Sequence, residues 1–344
     1  MKNLISAPQK LKNGVGTVGY PDSNALGIRH ILSTLFFFLF ISTCSAQNDD
    51  IVKLKNISDT ILNTKRTLRI KGQLDPVETM QMLFPGKLYN FPDHNTFLSW
   101  KCTSCKPVSY IDVNGFLEDQ LFPYTEGVAT RLLTNIDYSD SKGNEFKFMI
   151  FNHSIYDEDG GRTSRFTGGL LSIAKFEKNS NSWEMKSFQP AIEAFGSFAE
   201  SPVPKLVEIG EDQYALTLVH ENGAFGSSSS GDLYLLVGID GKYKPLMEVN
   251  YYSLNNISTE WSSSYRVVND NNKKFFRDFV ITTTGSYVNA KDSEGDVEVD
   301  LPSEIVRMAE TKKKFNFVIE RRFSFKDKHY SAIGKSVVKF SNIK

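Results

Sequence analysis

The sequence has few of the residues that build covalent or metal-dependent sites, with three cysteines and five histidines among 344 residues. A scaffold held together by disulfides needs many more cysteines, so this fold must depend on its hydrophobic core. Charge of one sign is also lacking, since 40 basic residues face 40 acidic ones. A near-neutral chain without a basic stripe gives no electrostatic case for nucleic-acid binding.

The sequence also lacks an apolar run of the roughly 20 residues that a membrane-spanning helix needs. The uncharged apolar run at residues 31–42 has 12 residues, which is the length of a signal-peptide core. Arg29 and His30 precede this run as a short positive region, and small residues follow it. We therefore predict a signal peptide over residues 1–46 that is cleaved between Ala46 and Gln47, and a periplasmic or secreted protein.

Two other interpretations of the same segment stay open. The sequence from Ile41 to Cys44 has a loose lipobox shape, although Thr43 fits that pattern poorly, so Cys44 is an alternative site for a lipid anchor. An uncleaved signal segment is the other alternative, and membrane attachment is expected only in these two cases. The region before Arg29 is unusually long for a signal peptide, and we hypothesise that translation starts near Leu26.

Beyond residue 46 the chain has 36 basic and 39 acidic residues, and we divide it into an N-terminal segment over 47–100 and a β-rich body over 101–344. Asp75 is a preferred N-cap, and Pro76 suits the first helical position. These residues predict a short helix from Pro76 to Leu83, ended by the Pro-Gly pair that follows Phe84. A second short helix near residue 305 is predicted with Ser303 as its cap.

The pattern of the body is typical of β-hairpins. Stretches rich in apolar and aromatic residues alternate with short clusters of Asn, Asp, Gly, Ser and Lys, which suit tight hairpin loops. These clusters lie at residues 141–144, 178–182, 210–212, 240–242, 269–272 and 326–328. We predict a mainly β fold, an antiparallel meander folded into a sandwich or open barrel with one or two short helices; a partial propeller is the alternative.

The spacing of Cys102 and Cys105 fits a small structural disulfide. Thiol exchange needs a helix at the cysteine pair, but residues 108–113 after Cys105 resemble a strand. Zinc needs two further ligands, and the sequence contains no second cysteine pair. We therefore predict a disulfide and keep thiol exchange and metal binding as alternatives.

No catalytic motif stands out in the sequence, and we predict no catalytic residue, no cofactor and no metal site. His94, His153, His220 and His329 are scattered, although His153 and His220 have carboxylates nearby in sequence. A hydrolase that uses one of these histidines with a carboxylate is therefore an alternative function. Acidic turns at residues 157–161 and 292–296 carry oxygen ligands for calcium, but they lack the spacing of a calcium-binding loop.

Residues 169–243 resemble a group of uncharacterised bacterial secreted proteins like those of Bacteroidetes. The resemblance covers about a quarter of the chain after residue 46, and it rests on Gly169-Leu170, Ala174-Lys175-Phe176, Trp183, residues 195–202, residues 206–210 and Tyr214. Some members of that group carry a Cys-His-x-Cys cluster where this chain has residues 162–165, which contain neither cysteine nor histidine. The resemblance therefore implies export and a β-rich domain, and it implies no activity.

The function that we expect is binding rather than catalysis. Residues 195–202 combine aromatic side chains with a glycine ahead of a proline-rich turn. Phe195 and Phe198 are accordingly the predicted binding residues, for a protein or glycan partner outside the cytoplasm. The competing interpretation places the same aromatic side chains in the hydrophobic core.

Overall fold

The computed structural model describes residues 53–91, 95–115, 120–156, 166–223, 228–255, 259–269, 273–289 and 301–344. These residues are mainly β, as predicted. The strands in chain order are β1 (Lys55–Asn56), β2 (Arg69–Lys71), β3 (Lys87–Phe91), β4 (Asn95–Lys101), β5 (Val108–Tyr110), β6 (Gln120–Phe122), β7 (Val128–Ser139), β8 (Glu145–Ile155), β9 (Gly169–Asn179), β10 (Ser182–Gln189), β11 (Ala194–Phe195), β12 (Lys205–Gly210), β13 (Gln213–Gly223), β14 (Ser228–Ile239), β15 (Lys242–Asn255), β16 (Thr259–Val267), β17 (Phe279–Val288), β18 (Lys314–Lys326) and β19 (His329–Ser341).

The first sheet has the strand order β1-β4-β7-β8-β9-β10-β2, with β3 beside β4 and β11 beside β9. Its pairs are antiparallel, apart from the short parallel pair of β1 with β4. The sheet takes strands from both sides of residue 100, and β4 itself crosses that position. Strands from both sides of residue 100 therefore belong to one sheet.

The second sheet is an antiparallel meander in which β12 to β19 lie in sequence order. The predicted turns at 210–212, 240–242 and 326–328 each join two neighbouring strands of this sheet. The sheet curls into a half-barrel, because side chains of β15, β18 and β19 meet in one buried cluster through Leu246, Phe323 and Tyr330. A continuous curled sheet of this kind replaces the propeller blades of the alternative prediction.

The two sheets pack face to face through a shared apolar layer. Phe148 and Ile150 of β8 join Leu216 of β13 and Leu236 of β14 in one buried cluster. The alternate side chains of β8, such as Phe151, point into a second cluster on the opposite face of the first sheet. The central residues 148–151 of β8 are covered on both faces, and they are apolar on both faces.

The described residues contain a 3-10 helix (Asp59–Leu62) and two short α-helices, and the α-helices lie at the positions that the sequence predicted. Helix α1 (Pro76–Leu83) begins after Asp75, whose side chain accepts a hydrogen bond of 2.8 Å from the Glu78 N–H. Its buried side chains cover the outer face of the first sheet. Helix α2 (Val306–Ala309) has Ile305 as its N-cap without a side-chain hydrogen bond, so the prediction of Ser303 as the cap is wrong.

Candidate functional site

The loop of residues 196–201, which directly follows β11, has an unusual backbone. Gly196 has a φ of +77°, and Phe198 and Ala199 both have a φ of +55°. Positive φ is uncommon for residues other than glycine, and each such residue costs about 1–3 kcal/mol unless its surroundings impose the conformation. The surroundings of this 196–201 loop must therefore hold it in place.

Asn152 of β8 fixes the second half of the loop. Its side chain is 2% exposed, its Nδ2 donates to the Ala199 carbonyl at 2.9 Å, and its Oδ1 accepts from the Ser201 N–H at 2.9 Å. A Cβ atom at position 169 would collide with this amide, so the neighbouring strand needs Gly169 for the close approach. One buried amide thus satisfies two backbone groups that the strained loop presents.

His220 and Asn114 fix the first half of the loop. The Nδ1 atom of His220 accepts from the Gly196 N–H at 2.8 Å, and Asn114 Nδ2 donates to the Gly196 carbonyl at 2.9 Å. Asn114 also donates to Asp112, which accepts from the Gly168 N–H at 2.9 Å through its other oxygen. His220 is 1% exposed and serves here as a hydrogen-bond acceptor for the backbone.

The two predicted binding residues point in opposite directions. Phe198 is 45% exposed at the tip of the loop. Phe195 has no exposed surface, and its ring packs edge-on against Tyr234 with 5.0 Å between the ring centroids. Phe195 therefore lies in the core, and this packing corrects its assignment as a residue that contacts a partner directly.

His153 lies in a closed aromatic environment on the other face of β8. Its ring stacks on Phe122 at 4.8 Å and packs edge-on against Phe84 at 4.8 Å. Trp100 Nε1 donates to Thr130 Oγ1 at 2.8 Å, and the same oxygen lies 2.8 Å from His153 Nδ1. Since the indole is only a donor, the hydroxyl proton of Thr130 is free to point at Nδ1.

Complete burial lowers the pKa of His153 to about 3, against an opposite effect of the Pro190 backbone. A charged imidazolium is unfavourable among aromatic side chains without solvent, so the ring is neutral at physiological pH. A histidine with no exposed surface cannot reach a substrate. His153 and His220 are both buried within the fold, where a ring nitrogen of each lies at hydrogen-bond distance from a neighbouring group of the protein.

Cys102 and Cys105 form a disulfide, as predicted, with their Cα atoms 5.4 Å apart. Both side chains are partly buried and pack against the cluster on the outer face of the first sheet. Two residues separate Cys105 from strand β5, and no helix begins between them. The pair therefore lacks the helix N-terminus that lowers the pKa of a thiol in an exchange site.

A cleft lies where the segment between β10 and β11 faces β15 and the turn between β18 and β19. It consists of two adjoining cavities of about 510 and 400 Å³, and Glu193 borders both of them. Burial and the nearby Glu248 carboxylate raise the pKa of Glu193 to about 7. We call this region the Glu193 cleft. Sequence reasoning missed it, because Glu193 stands alone among apolar neighbours in the chain.

Several predicted features lie outside the described residues. They are His94, Cys44, the cleavage position between Ala46 and Gln47, and the acidic turns at 157–161 and 292–296. Within the described part of the chain, no three His, Cys, Asp or Glu side chains come together as metal ligands. Among the same residues, no helix is both long and apolar enough to cross a membrane.

Comparisons of the chain with protein-family models, with curated proteins and with solved structures found no match. The resemblance of residues 169–243 to bacterial secreted proteins therefore stays a prediction.

Proposed function

We propose that this protein is an exported, non-catalytic binding protein whose partner, a protein or a glycan outside the cytoplasm, contacts Phe198. The observation that carries the proposal is an exposed aromatic side chain on a backbone of positive φ that buried polar groups hold in place. Strained backbone that the surrounding structure over-determines is concentrated at functional sites, which is why this loop is favoured over other exposed apolar residues.

The rigidity of the loop is an energetic advantage for binding. Association is opposed by the entropy lost when loops and side chains become ordered, about 0.5–1.5 kcal/mol for each flexible side chain. Asn152 and His220 have already ordered the backbone on either side of Phe198. A partner that covers the ring therefore gains the burial of an aromatic group without ordering the loop.

Further apolar surface is close to Phe198. The Ala199 N–H donates to the Thr167 carbonyl at 2.8 Å, which brings the 196–201 loop beside Phe166, a residue that is 51% exposed. Val203, which is 55% exposed, follows in the same chain segment. These exposed apolar side chains add to the surface that a partner can bury next to Phe198.

Export is the second part of the proposal, and it is supported by the signal-peptide pattern that ends at Ala46 and by the disulfide between Cys102 and Cys105. Disulfides persist mainly in oxidising compartments. N-terminal sequencing of the protein recovered from periplasm or culture medium should begin at Gln47. Recovery from the cytoplasm with residues 36–40 still attached would contradict export.

The binding surface can be tested by photo-crosslinking in intact cells. A photoreactive phenylalanine analogue in place of Phe198 should give a discrete crosslinked species, because the ring lies at the contact. The matched control carries the analogue in place of Phe275. This side chain is 52% exposed, but it lies in the segment between β16 and β17 of the second sheet. Equal crosslinking at both positions, or none at position 198, would refute the proposed surface.

A further inference from the structure

The Glu193 cleft is a second candidate site, separate from the exposed ring of Phe198. Its larger cavity of about 510 Å³ lies within the range of about 300–1,000 Å³ that is usual for small-molecule sites. Part of its wall is apolar, formed by Ile111, Leu246 and Met247. A cavity of this size with an apolar wall suits a small organic molecule better than a bare ion.

The carboxylates of the larger cavity are Asp112, Glu193 and Glu248, with His329 on the same wall, whereas Lys244 and Lys328 border only the smaller cavity. Glu193 makes no ion pair or side-chain hydrogen bond with any residue that the structure describes. Glu248 lies near enough to disfavour the charged form of Glu193, and it also pairs with the hydroxyl of Tyr234. Tyr234 is 5% exposed and borders the cavity. Glu248 therefore has a fixed polar neighbour, whereas Glu193 has no cation paired with it among the described residues.

We propose that the Glu193 cleft binds a small organic amine, with its ammonium group paired to Glu193 and Glu248 and its apolar part on Ile111, Leu246 and Met247. An ammonium supplies up to three hydrogen-bond donors, which matches two carboxylates that otherwise repel each other. A calcium ion takes six to eight oxygen ligands, and the described residues contain no group of three acidic, histidine or cysteine ligands here.

Amine binding predicts a pH dependence that follows from the charges around the cleft. The titratable and charged groups facing its two cavities are Asp112, Glu193, Tyr234, Asp240, Tyr243, Lys244, Glu248, Lys328, His329 and Tyr330. Since the pKa of Glu193 is raised to about 7, this carboxyl is mainly neutral at pH 6 and mainly charged at pH 8. A cationic ligand should therefore bind about tenfold more weakly at pH 6 than at pH 8.

The test uses the purified full-length chain and three probes of similar size, namely phenethylamine, phenethyl alcohol and 3-phenylpropionate, with affinities measured by titration calorimetry at pH 8. The amine should bind at least tenfold more tightly than the neutral and anionic probes. Glu193→Gln should reduce the amine affinity at least tenfold and remove the difference between pH 6 and pH 8. Glu310→Gln, which removes an exposed carboxylate elsewhere, should bind like the wild type.

Three results would overturn the proposal: similar binding of all three probes, unchanged amine binding by Glu193→Gln, or no amine binding at about 10 mM. Thermal unfolding checks that the variants fold, and Glu248→Gln provides a second variant with the same expected loss of affinity. Phe198→Ser should leave amine binding unchanged. Failure at the Glu193 cleft and failure at the Phe198 surface are therefore distinguishable.

Discussion

The buried side chain of His153 should contribute to the destabilisation of this protein by acid. The folded state holds its imidazole neutral with a pKa lowered to about 3, whereas the ordinary value is 6.5. The unfolded state therefore binds a proton below pH 6.5 that the folded state does not bind, and stability falls as the pH falls from 6.5 toward 3. Above pH 6.5 neither state carries the proton, and this contribution to the pH dependence vanishes.

The magnitude follows from the two pKa values. Each pH unit below 6.5 removes about 1.4 kcal/mol from the free energy of unfolding, so the loss at pH 5 is about 2 kcal/mol. For a protein whose total stability is about 5–15 kcal/mol, this loss is large enough to measure.

The assay is urea unfolding, followed by circular dichroism at pH 7 and pH 5, for the wild type and for His153→Phe. Phenylalanine keeps an aromatic ring against Phe122 and Phe84 but does not titrate. The variant should lose about 2 kcal/mol less than the wild type between the two pH values, because the other ionisable groups contribute equally to both proteins.

The matched control is His329→Gln at an exposed histidine, which should lose as much stability between pH 7 and pH 5 as the wild type. The reasoning would be refuted if the wild type and His153→Phe lost the same stability over this interval. That result would mean that His153 is protonated in the folded protein or exposed to solvent.

Four further substitutions test the core, the 196–201 loop and the pair of Glu304 with Arg321 by urea unfolding. Phe195→Ser should destabilise by about 3–5 kcal/mol because the ring has no exposed surface, whereas Phe198→Ser should change stability by less than about 1 kcal/mol; similar losses would contradict their opposite placement. Asn152→Ala should lower the free energy of unfolding by about 2 kcal/mol or more, because it leaves a buried N–H and a buried carbonyl of the 196–201 loop without partners. A loss below about 0.5 kcal/mol would contradict the role of Asn152 in holding this loop. Hydrogen bonds from Arg321 are the first cause that lowers the pKa of Glu304 to about 2. The stability that Glu304 contributes is therefore present above about pH 4.5 and is lost as the pH falls toward 2. Glu304→Gln should remove this part of the acid sensitivity, and a variant that loses as much unfolding free energy between pH 5 and pH 3 as the wild type would contradict it.

The local elements of the fold were predictable because each depends on a few neighbouring residues. Asp75 and Pro76 mark the start of α1, and the Asp-Gly pair at 240–241 marks the turn between β14 and β15. Glycine and aspartate are found at positive φ in such turns at little cost, so the turn shows in the sequence itself. The cap of α2 at Ile305 was not predictable, because a tertiary contact rather than a capping side chain sets that end.

The candidate sites were only partly predictable. The composition of residues 195–202 predicted a binding segment, but it did not show which of Phe195 and Phe198 faces solvent. Positive φ at Phe198 interrupts the regular alternation of buried and exposed side chains that a strand would have. Asn152 lies more than forty residues from the loop that it holds. The walls of the Glu193 cleft come from segments that are distant in sequence, so no local sequence pattern predicts it.

By itself, the sequence determined the mainly β class, most of the hairpin turns, helix α1 and the pairing of Cys102 with Cys105. Only the tertiary structure decided that the chain builds two sheets, that Phe195 is core while Phe198 is surface, and that Glu193 approaches Glu248. The physical reason is that turns and caps are set by interactions between neighbours in sequence, whereas burial and electrostatics depend on which distant strands come to share a face.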